Sequence, residues 1–245
     1  DCLFITTIQA TKHAYKQRNK MKFSKRLQKI DNMITSNYDH IWDCCCDHGL
    51  LGVNLLKRNA AKNIHFVDIV EKLIRDLDKQ LKQEFSDNVS KTRWKTYCLD
   101  AAEIPIQTRE SNLIIISGVG GDLLIDLVQS ITNTHKNQKL EFLLCPVYHN
   151  YKVRQALKKM GFGLLNESLV KENKQFYEII HISTQSNTAI SPVGSVMWNF
   201  SRQNDKEYLT QTIAHYQRAL KNSNAKSRNI VLDYQKLALL AESGI

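Results

Sequence analysis

The feature that most constrains this chain is an alternation. Five short, nearly continuous apolar runs lie at 40–45 (HIWDCC), 63–68 (NIHFVD), 94–99 (WKTYCL), 112–117 (NLIIIS) and 140–145 (LEFLLC). Segments with helical spacing fall between them at 50–60, 69–85 and 122–133. A strand that is apolar on both sides must be covered on both faces, which is the condition of a parallel sheet. Strands joined through helices form βαβ units with right-handed crossovers, so the order predicts a doubly wound α/β sheet. Beyond residue 145 a helix is expected over 150–160, ended by Gly161. Two further runs, 163–170 and 175–183, are joined by the polar link KENKQ and predict an antiparallel hairpin at one sheet edge.

Both ends of this core carry helical patterns. Phe23, Leu27, Ile30 and Ile34 recur at helical spacing and predict an amphipathic leading helix. TQSNTAISPVGS (184–195) reads as a linker. After it, Leu209, Ile213, Tyr216 and Leu220 make one stripe and Ile230, Tyr234 and Leu237 another, with KNSNAKSRN (221–229) as the turn between them. Such a pair is an αα-hairpin or a short antiparallel coiled coil. The expected organisation is a basic extension over 1–21, a sheet domain over 22–185, and a linker with a small helical domain over 186–245.

The formal net charge is +10, and residues 1–30 hold eight Lys or Arg against one acid, Asp1. A basic arm suits a phosphate backbone, because neutralised phosphates release counterions; a solubilising tail is the equal alternative. Met21 followed by KFSKRLQKI reads as a start, with residues 1–20 an upstream extension. No apolar run approaches the roughly 20 residues that span a bilayer. The opening segment lacks the order of a cleavable signal. A cytoplasmic protein with no membrane contact is expected.

The stretch DCCCDHG (43–49) invites a metal or redox reading, and the spacing argues against both. Among six cysteines there is no C-x-x-C pair. Adjacent cysteines on a strand point to opposite faces and converge poorly on one ion, so no metal is expected. At the carboxyl end of a first parallel strand, where open α/β sheets bind ligands, the position asks for small residues, and cysteine is small. A G-x-G-x-x-G phosphate loop is missing, which disfavours a nicotinamide dehydrogenase. The strand ends are acidic instead. Asp43 and Asp47 flank the first turn and would repel a pyrophosphate but favour an amino group or a sulfonium. Asp68 closes the second strand, where a carboxylate can accept from two ribose hydroxyls. Asp100, followed by Ala101, closes the third and can meet an adenine amino group. SGVGG (117–121) closes the fourth and leaves room over a reacting centre. Singly, each has a simpler reading: a helix N-cap for an aspartate, a plain turn for GVGG, a structural histidine for His48. In register with the alternation, they point to S-adenosylmethionine.

The segments SKRLQKI, DCCCDHGLLG, FVDI, YCLDAAEIP, ISGVGGDLLIDLV, VRQALKKMGFGLLNESLVKENKQFYEII and PVGSVMW run in the order and spacing of the bacterial tRNA (adenine-22-N1)-methyltransferase family, which the chain resembles over roughly residues 22–245. The resemblance implies a Rossmann-like class I methyltransferase domain followed by a C-terminal coiled-coil domain. It implies that Asp43, Cys45, Asp47, His48 and Gly49 line the methionine end of S-adenosylmethionine. Asp68 with Ile69 would hold the ribose, Asp100 with Ala101 the adenine, and Gly118, Val119, Gly120 and Gly121 the floor near the sulfonium. The chain departs from the family in having Cys45 for a glycine and Cys145, Pro146, Val147 for a Gln-Pro-Asn sequence.

Methyl transfer from a sulfonium is an in-line displacement, so the enzyme mainly aligns the partners. Adenine N1 is normally tied up in pairing, and the base must be extracted and held. Pro146, Tyr148 and His149 are candidates for the wall that holds it. Asp47 and His48 are candidates to accept from the exocyclic amine. Arg26 is placed to meet a phosphate or the base, or to sit in a surface salt bridge. RNA would also cross the helical hairpin, which carries Arg202, Lys206, Arg218, Lys221, Lys226 and Arg228. A monomer or weak dimer is expected. Two other readings stay open: a methyltransferase of protein or small molecules, and a non-catalytic RNA-binding relative.

Overall fold

The computed structural model describes residues 23–85, 93–221 and 225–242. The expected extension over 1–21 lies outside them. The leading helix α1 (Lys25–Met33) is capped by Ser24, whose Oγ accepts from the Leu27 amide at 3.2 Å. The chain then alternates as expected: β1 (Tyr38–Cys44), α2 (Leu50–Lys57), β2 (Ala61–Asp68), α3 (Glu71–Glu84), β3 (Arg93–Cys98), β4 (Asn112–Ser117), α4 (Gly121–Thr134), β5 (Glu141–Cys145) and α5 (Asn150–Lys159). A hairpin follows, β6 (Gly163–Glu172) and β7 (Gln175–Ser183), and then two helices, α6 (Gln203–Lys221) and α7 (Ala225–Glu242).

The seven strands form one sheet in the order β3-β2-β1-β4-β5-β7-β6. The first five are parallel; β7 runs antiparallel to β5, and β6 closes the edge antiparallel to β7. This is the doubly wound Rossmann-like sheet with an edge hairpin that the alternation predicts. Side-chain parity explains why its strands read as unbroken apolar runs. Ile41, Leu113, Ile115 and Leu143 enter the core under α1, α2 and α3. Their neighbours Trp42, Ile114, Ile116 and Leu144 enter the core under α4 and α5.

Several boundaries differ from the sequence reading, three of them for a clear physical reason. The 50–60 helix stops at Lys57, because the chain must turn at Asn59, in the left-handed region, to enter β2. β6 runs on to Glu172 and β7 starts at Gln175 as expected, so KENKQ is mostly strand and its turn is Asn173–Lys174, both with positive φ. This is the arrangement of a two-residue hairpin loop. α7 begins at Ala225, inside the polar segment read as a turn; Ala, Lys and Arg are good helix formers whatever their polarity.

The helical pair buries Leu209 and Tyr234 with Tyr151 of α5, flanked by Ile213, Tyr216, Ile230 and Leu237. Tyr151 Oη donates to Asp233 Oδ2 at 2.7 Å. Beneath this contact lies a buried ionic cluster. Arg154 of α5 donates from Nε to Glu178 and from Nη1 to Glu167, both at 2.6 Å, and all three side chains have no exposed surface. Tyr208 of α6 donates to the other Glu178 oxygen at 2.6 Å, and Ser195 and Met197 of the linker donate to Glu167. Among the described residues no helix is long and apolar enough to cross a membrane.

Candidate active site

At the carboxyl end of β1 the chain must turn from strand into helix in five residues. It does so through Cys45, Asp47 and Gly49, at φ 57°, 51° and 67°. Gly49 is obligatory, since a Cβ there would lie 2.7 Å from Leu77 Cδ2 as well as being strained. The cysteine trio splits between environments. Cys44 enters the core under α4 and α5, Cys46 the core on the other face, and Cys45 is left half-buried at the mouth. Burial pushes all three thiols up, Cys45 to about 11, with Asp68, Asp43 and Asp100 adding to the effect. None is a ready thiolate, and their packing matches residues selected for size.

Three carboxylates from three strand ends thus act on the Cys45 thiol. Asp68 is clamped: its Oδ2 accepts from the Asp47 amide and its Oδ1 from the Val70 amide, each at 3.0 Å. A carboxylate has about four lone-pair sites, so Asp68 can still accept from ligand hydroxyls. Asp100 is exposed and caps a 3-10 turn over Ala101–Glu103, accepting from the Ala102 amide at 2.9 Å, with Ala101 buried beneath. Ile69 stands beside Asp68 and is 70% exposed, an apolar surface at the rim. Asp43 is placed differently from the others. It is 4% exposed and its Oδ2 accepts from the Gly52 amide of α2 at 2.9 Å. Burial pushes its pKa up to about 7 against the pull of that amide, and Asp68 raises it further. Asp47 and His48 lie outermost, Oδ1 to Nε2 at 3.5 Å.

The second half of the mouth is built by the ends of β4 and β5. The Val147 amide donates to the Val119 carbonyl at 2.9 Å and ties the two loops together. Pro146 is buried, while Tyr148 is 54% exposed and lies over Gly120, where a Cβ would collide with its hydroxyl. Gly121 starts α4 against the Tyr148 carbonyl. His149, at φ 66°, opens α5 and approaches Asp122 Oδ2 through Nδ1 at 3.2 Å; the ring meets Tyr148 edge to face.

Arg26 arrives here from α1. Its Nη2 lies 3.7 Å from where a Cβ on Gly118 would stand, and its guanidinium covers the Tyr177 ring at 4.9 Å. Its Nε is buried without a hydrogen-bond partner, and no ion pair with a described residue neutralises it. The surface salt bridge left open by the sequence is not formed with any described residue. Tyr177, the ring beneath Arg26, was not among the sequence candidates; strand periodicity places it on β7 but nothing in the sequence brings it to Gly118. On the hairpin, Arg228 is exposed, and the side chains of Lys221 and Lys226 lie outside those described. Arg202 binds Asp205 and the Met197 carbonyl, so it fastens the start of α6. Among the described residues no group of three or more His, Cys, Asp or Glu is placed to hold a metal.

A parallel sheet with acidic strand ends, a glycine-floored fourth strand and no phosphate loop defines a class I methyltransferase site. The methyltransferase-domain family profile matches residues 23–180, and the chain belongs to that family. No curated protein matches the chain by sequence. Among solved structures it is similar to Streptococcus pneumoniae Sp1610, described as a candidate tRNA (m1A22) methyltransferase, with 19% identity, a TM-score of 0.72, and coverage of 90% of this chain and 99% of that one. It is also similar to M. capricolum TrmK in complex with S-adenosyl-homocysteine (17% identity, TM-score 0.67, 87% and 96% coverage). A third is the B. subtilis m1A22 tRNA methyltransferase TrmK (18%, 0.65, 91% and 98%). At these identities the likeness is one of fold, and it extends over the helical pair as well as the sheet.

Proposed function

We propose that the chain is an S-adenosylmethionine-dependent methyltransferase acting on tRNA, at N1 of an adenine equivalent to position 22. The observation that carries this reading is the extent of the match: the sheet, the edge hairpin and the C-terminal helices together cover nearly the whole of proteins described as tRNA (m1A22) methyltransferases. One of these is described in complex with S-adenosyl-homocysteine. The donor set here suits that ligand, with carboxylates at the strand ends in Asp68 and Asp100, glycine at 118 and 120, and an exposed apolar side chain at Ile69. In this reading residues 22–185 carry the chemistry and 186–245 contribute to RNA binding.

When bound, S-adenosylmethionine supplies a methyl group made electrophilic by a sulfonium. The chain supplies alignment. Asp68 and Asp100 accept from the hydroxyl and amino groups of the nucleoside, and Asp47, His48 and Gly49 border its methionine end. Asp43 spends its carboxyl on Gly52 and shapes the turn. Tyr148 offers a ring for the extracted base to stack on, with Pro146 and His149 fixing its place; a base held in line needs little proton transfer. Arg26, unpaired beside Gly118, holds an oxygen acceptor of the bound nucleotide. A buried Nε–H without an acceptor costs free energy that a ligand can offset.

The test is methyl transfer from labelled S-adenosylmethionine to unmodified tRNA with the full chain, followed by mass mapping. N1-methyladenosine in the D-arm region is expected. Calorimetric binding of the cofactor with no label in any tRNA would refute the substrate.

A further inference from the structure

A groove of about 1,490 Å³ runs from Tyr148 along α5, past the β6–β7 turn, to the facing surface of α6 and α7. It is larger than the roughly 300–1,000 Å³ of a small-molecule pocket, and it is open along its length as a polymer would need. Its lining has a one-sided composition. Lys152, Lys159, Lys174 and Arg218 line it together with His149 and His215, and among the described residues no Asp or Glu does. Lys152 is paired with Asp122 at 2.7 Å. The other three cations are exposed and have no carboxylate partner among the described residues. Aromatic rings are interleaved with the charge: Tyr148 at the mouth, then Phe176 and Tyr216, both half-buried, the first beside Tyr208 with Lys171 over its ring at 5.1 Å and the second stacked with Tyr234. Asn150 lines the end nearest Tyr148, and its Oδ1 is buried without a hydrogen-bond partner.

We infer that this groove binds the unpaired nucleotides that flank the target base. The inference rests on the function proposed above and names where the neighbours of the extracted base go. N1 lies on the pairing edge, so the target must leave its stack, and its neighbours lose their stacking partners with it. A cationic groove with spaced rings is the chemistry that receives such a strand. Stacking on each ring contributes about 1–3 kcal/mol, indifferent to base identity, while the cations track phosphates. An acidic peptide would be drawn by the charge but would leave the rings unused. The groove is separate from Arg228, which faces solvent on α7 outside its lining.

The experiment compares the full chain with the double variant Lys174→Ala/Arg218→Ala, both exposed and remote from the strand-end carboxylates. Anisotropy with a short single-stranded oligoadenylate reads binding without turnover, and calorimetry reads the cofactor. Loss of two phosphate contacts is expected to lower the slope of log K against log salt by about 1.4, from about 0.7 per single-strand contact. KM for tRNA is expected to rise severalfold while cofactor Kd is unchanged. Photo-crosslinks from a nucleotide next to the methylated adenine are expected at Phe176 or Tyr216. An unchanged slope with crosslinks confined to the Arg228 face would overturn the inference, and so would equal competition by polyglutamate. If the parent binds cofactor and oligoadenylate but methylates no tRNA, the substrate reading fails while the groove stands.

Discussion

Replacing Arg154 by methionine isolates the energetics of the buried cluster that ties α5, the edge hairpin and α6 together. The methionine fills much of the same volume, so the change is chiefly electrostatic. Glu167 and Glu178, with no exposed surface, keep only neutral donors: Ser195 and Met197 for the first, Tyr208 for the second. Removing one partner of a buried ion pair costs about 3–5 kcal/mol. For a chain of this size about 2–4 °C accompanies each kcal/mol, so the thermal midpoint should fall by about 6–20 °C. The pH dependence gives a second reading. In the parent, burial raises the Glu167 pKa but Arg154 and the Ser195 donors outweigh it and leave it below the usual value. That contribution is present above the unfolded pKa and is lost as pH falls through the folded one. In the variant Glu167 keeps the Ser195 donors but loses the Arg154 charge, so burial dominates and raises its pKa, and the variant's stability should fall as pH rises. The two melting curves therefore converge on acidification and separate towards pH 8. Adding Glu167→Gln and Glu178→Gln should recover most of the loss, because neutral replacements of buried ion clusters are often tolerated. A single variant within about 1 kcal/mol of the parent and flat with pH would refute the account.

Asp43 makes the opposite contribution. With its folded pKa raised to about 7, its share of stability is present at low pH and lost as pH rises through 7. Urea unfolding of Asp43→Asn against the parent should show that difference shrinking between about pH 4 and 7; a constant difference would mean that Asp43 is already ionised. Cys45→Gly should bind S-adenosylmethionine more tightly by calorimetry, since it removes a half-buried side chain from the turn at the end of β1. It should leave stability near the parent's, because relief of about 1–2 kcal/mol of left-handed strain is offset by glycine's backbone entropy. Weaker cofactor binding would show that the thiol makes a favourable contact.

The sheet was legible because the cores on its two faces leave no strand position polar for solvent's sake. Ile41 and Trp42 are adjacent, enter different cores, and together make the unbroken run that marks the strand. The acids at the strand ends were legible for a related reason: Asp68 and Asp100 interrupt those runs where the chain leaves the sheet. What stayed hidden depended on distant pairing. Arg154 sits in VRQALKK, whose charges read as a solvated helix face, and only the structure brings Glu167 and Glu178 beneath it. Arg26 was legible as a candidate for a phosphate or the base, but its place beside Gly118 and over the Tyr177 ring emerges only when α1 is laid against the sheet. Asp43 was read with the other acids, but strand parity turns it towards α2 and Gly52 rather than to the mouth.

The order of strands has a consequence for the nascent chain. β5 lies inside the finished sheet, but its neighbour on one side is β7, the last strand to be made. Roughly forty residues separate them, so at about 5–20 residues per second the edge of Phe142, Leu143 and Leu144 stays unpaired for about 2–8 s of translation. An open apolar edge is a template for pairing with another chain. Holding of this edge by a chaperone, or its pairing with a neighbouring nascent copy, belongs to the interval before residue 183 leaves the ribosome.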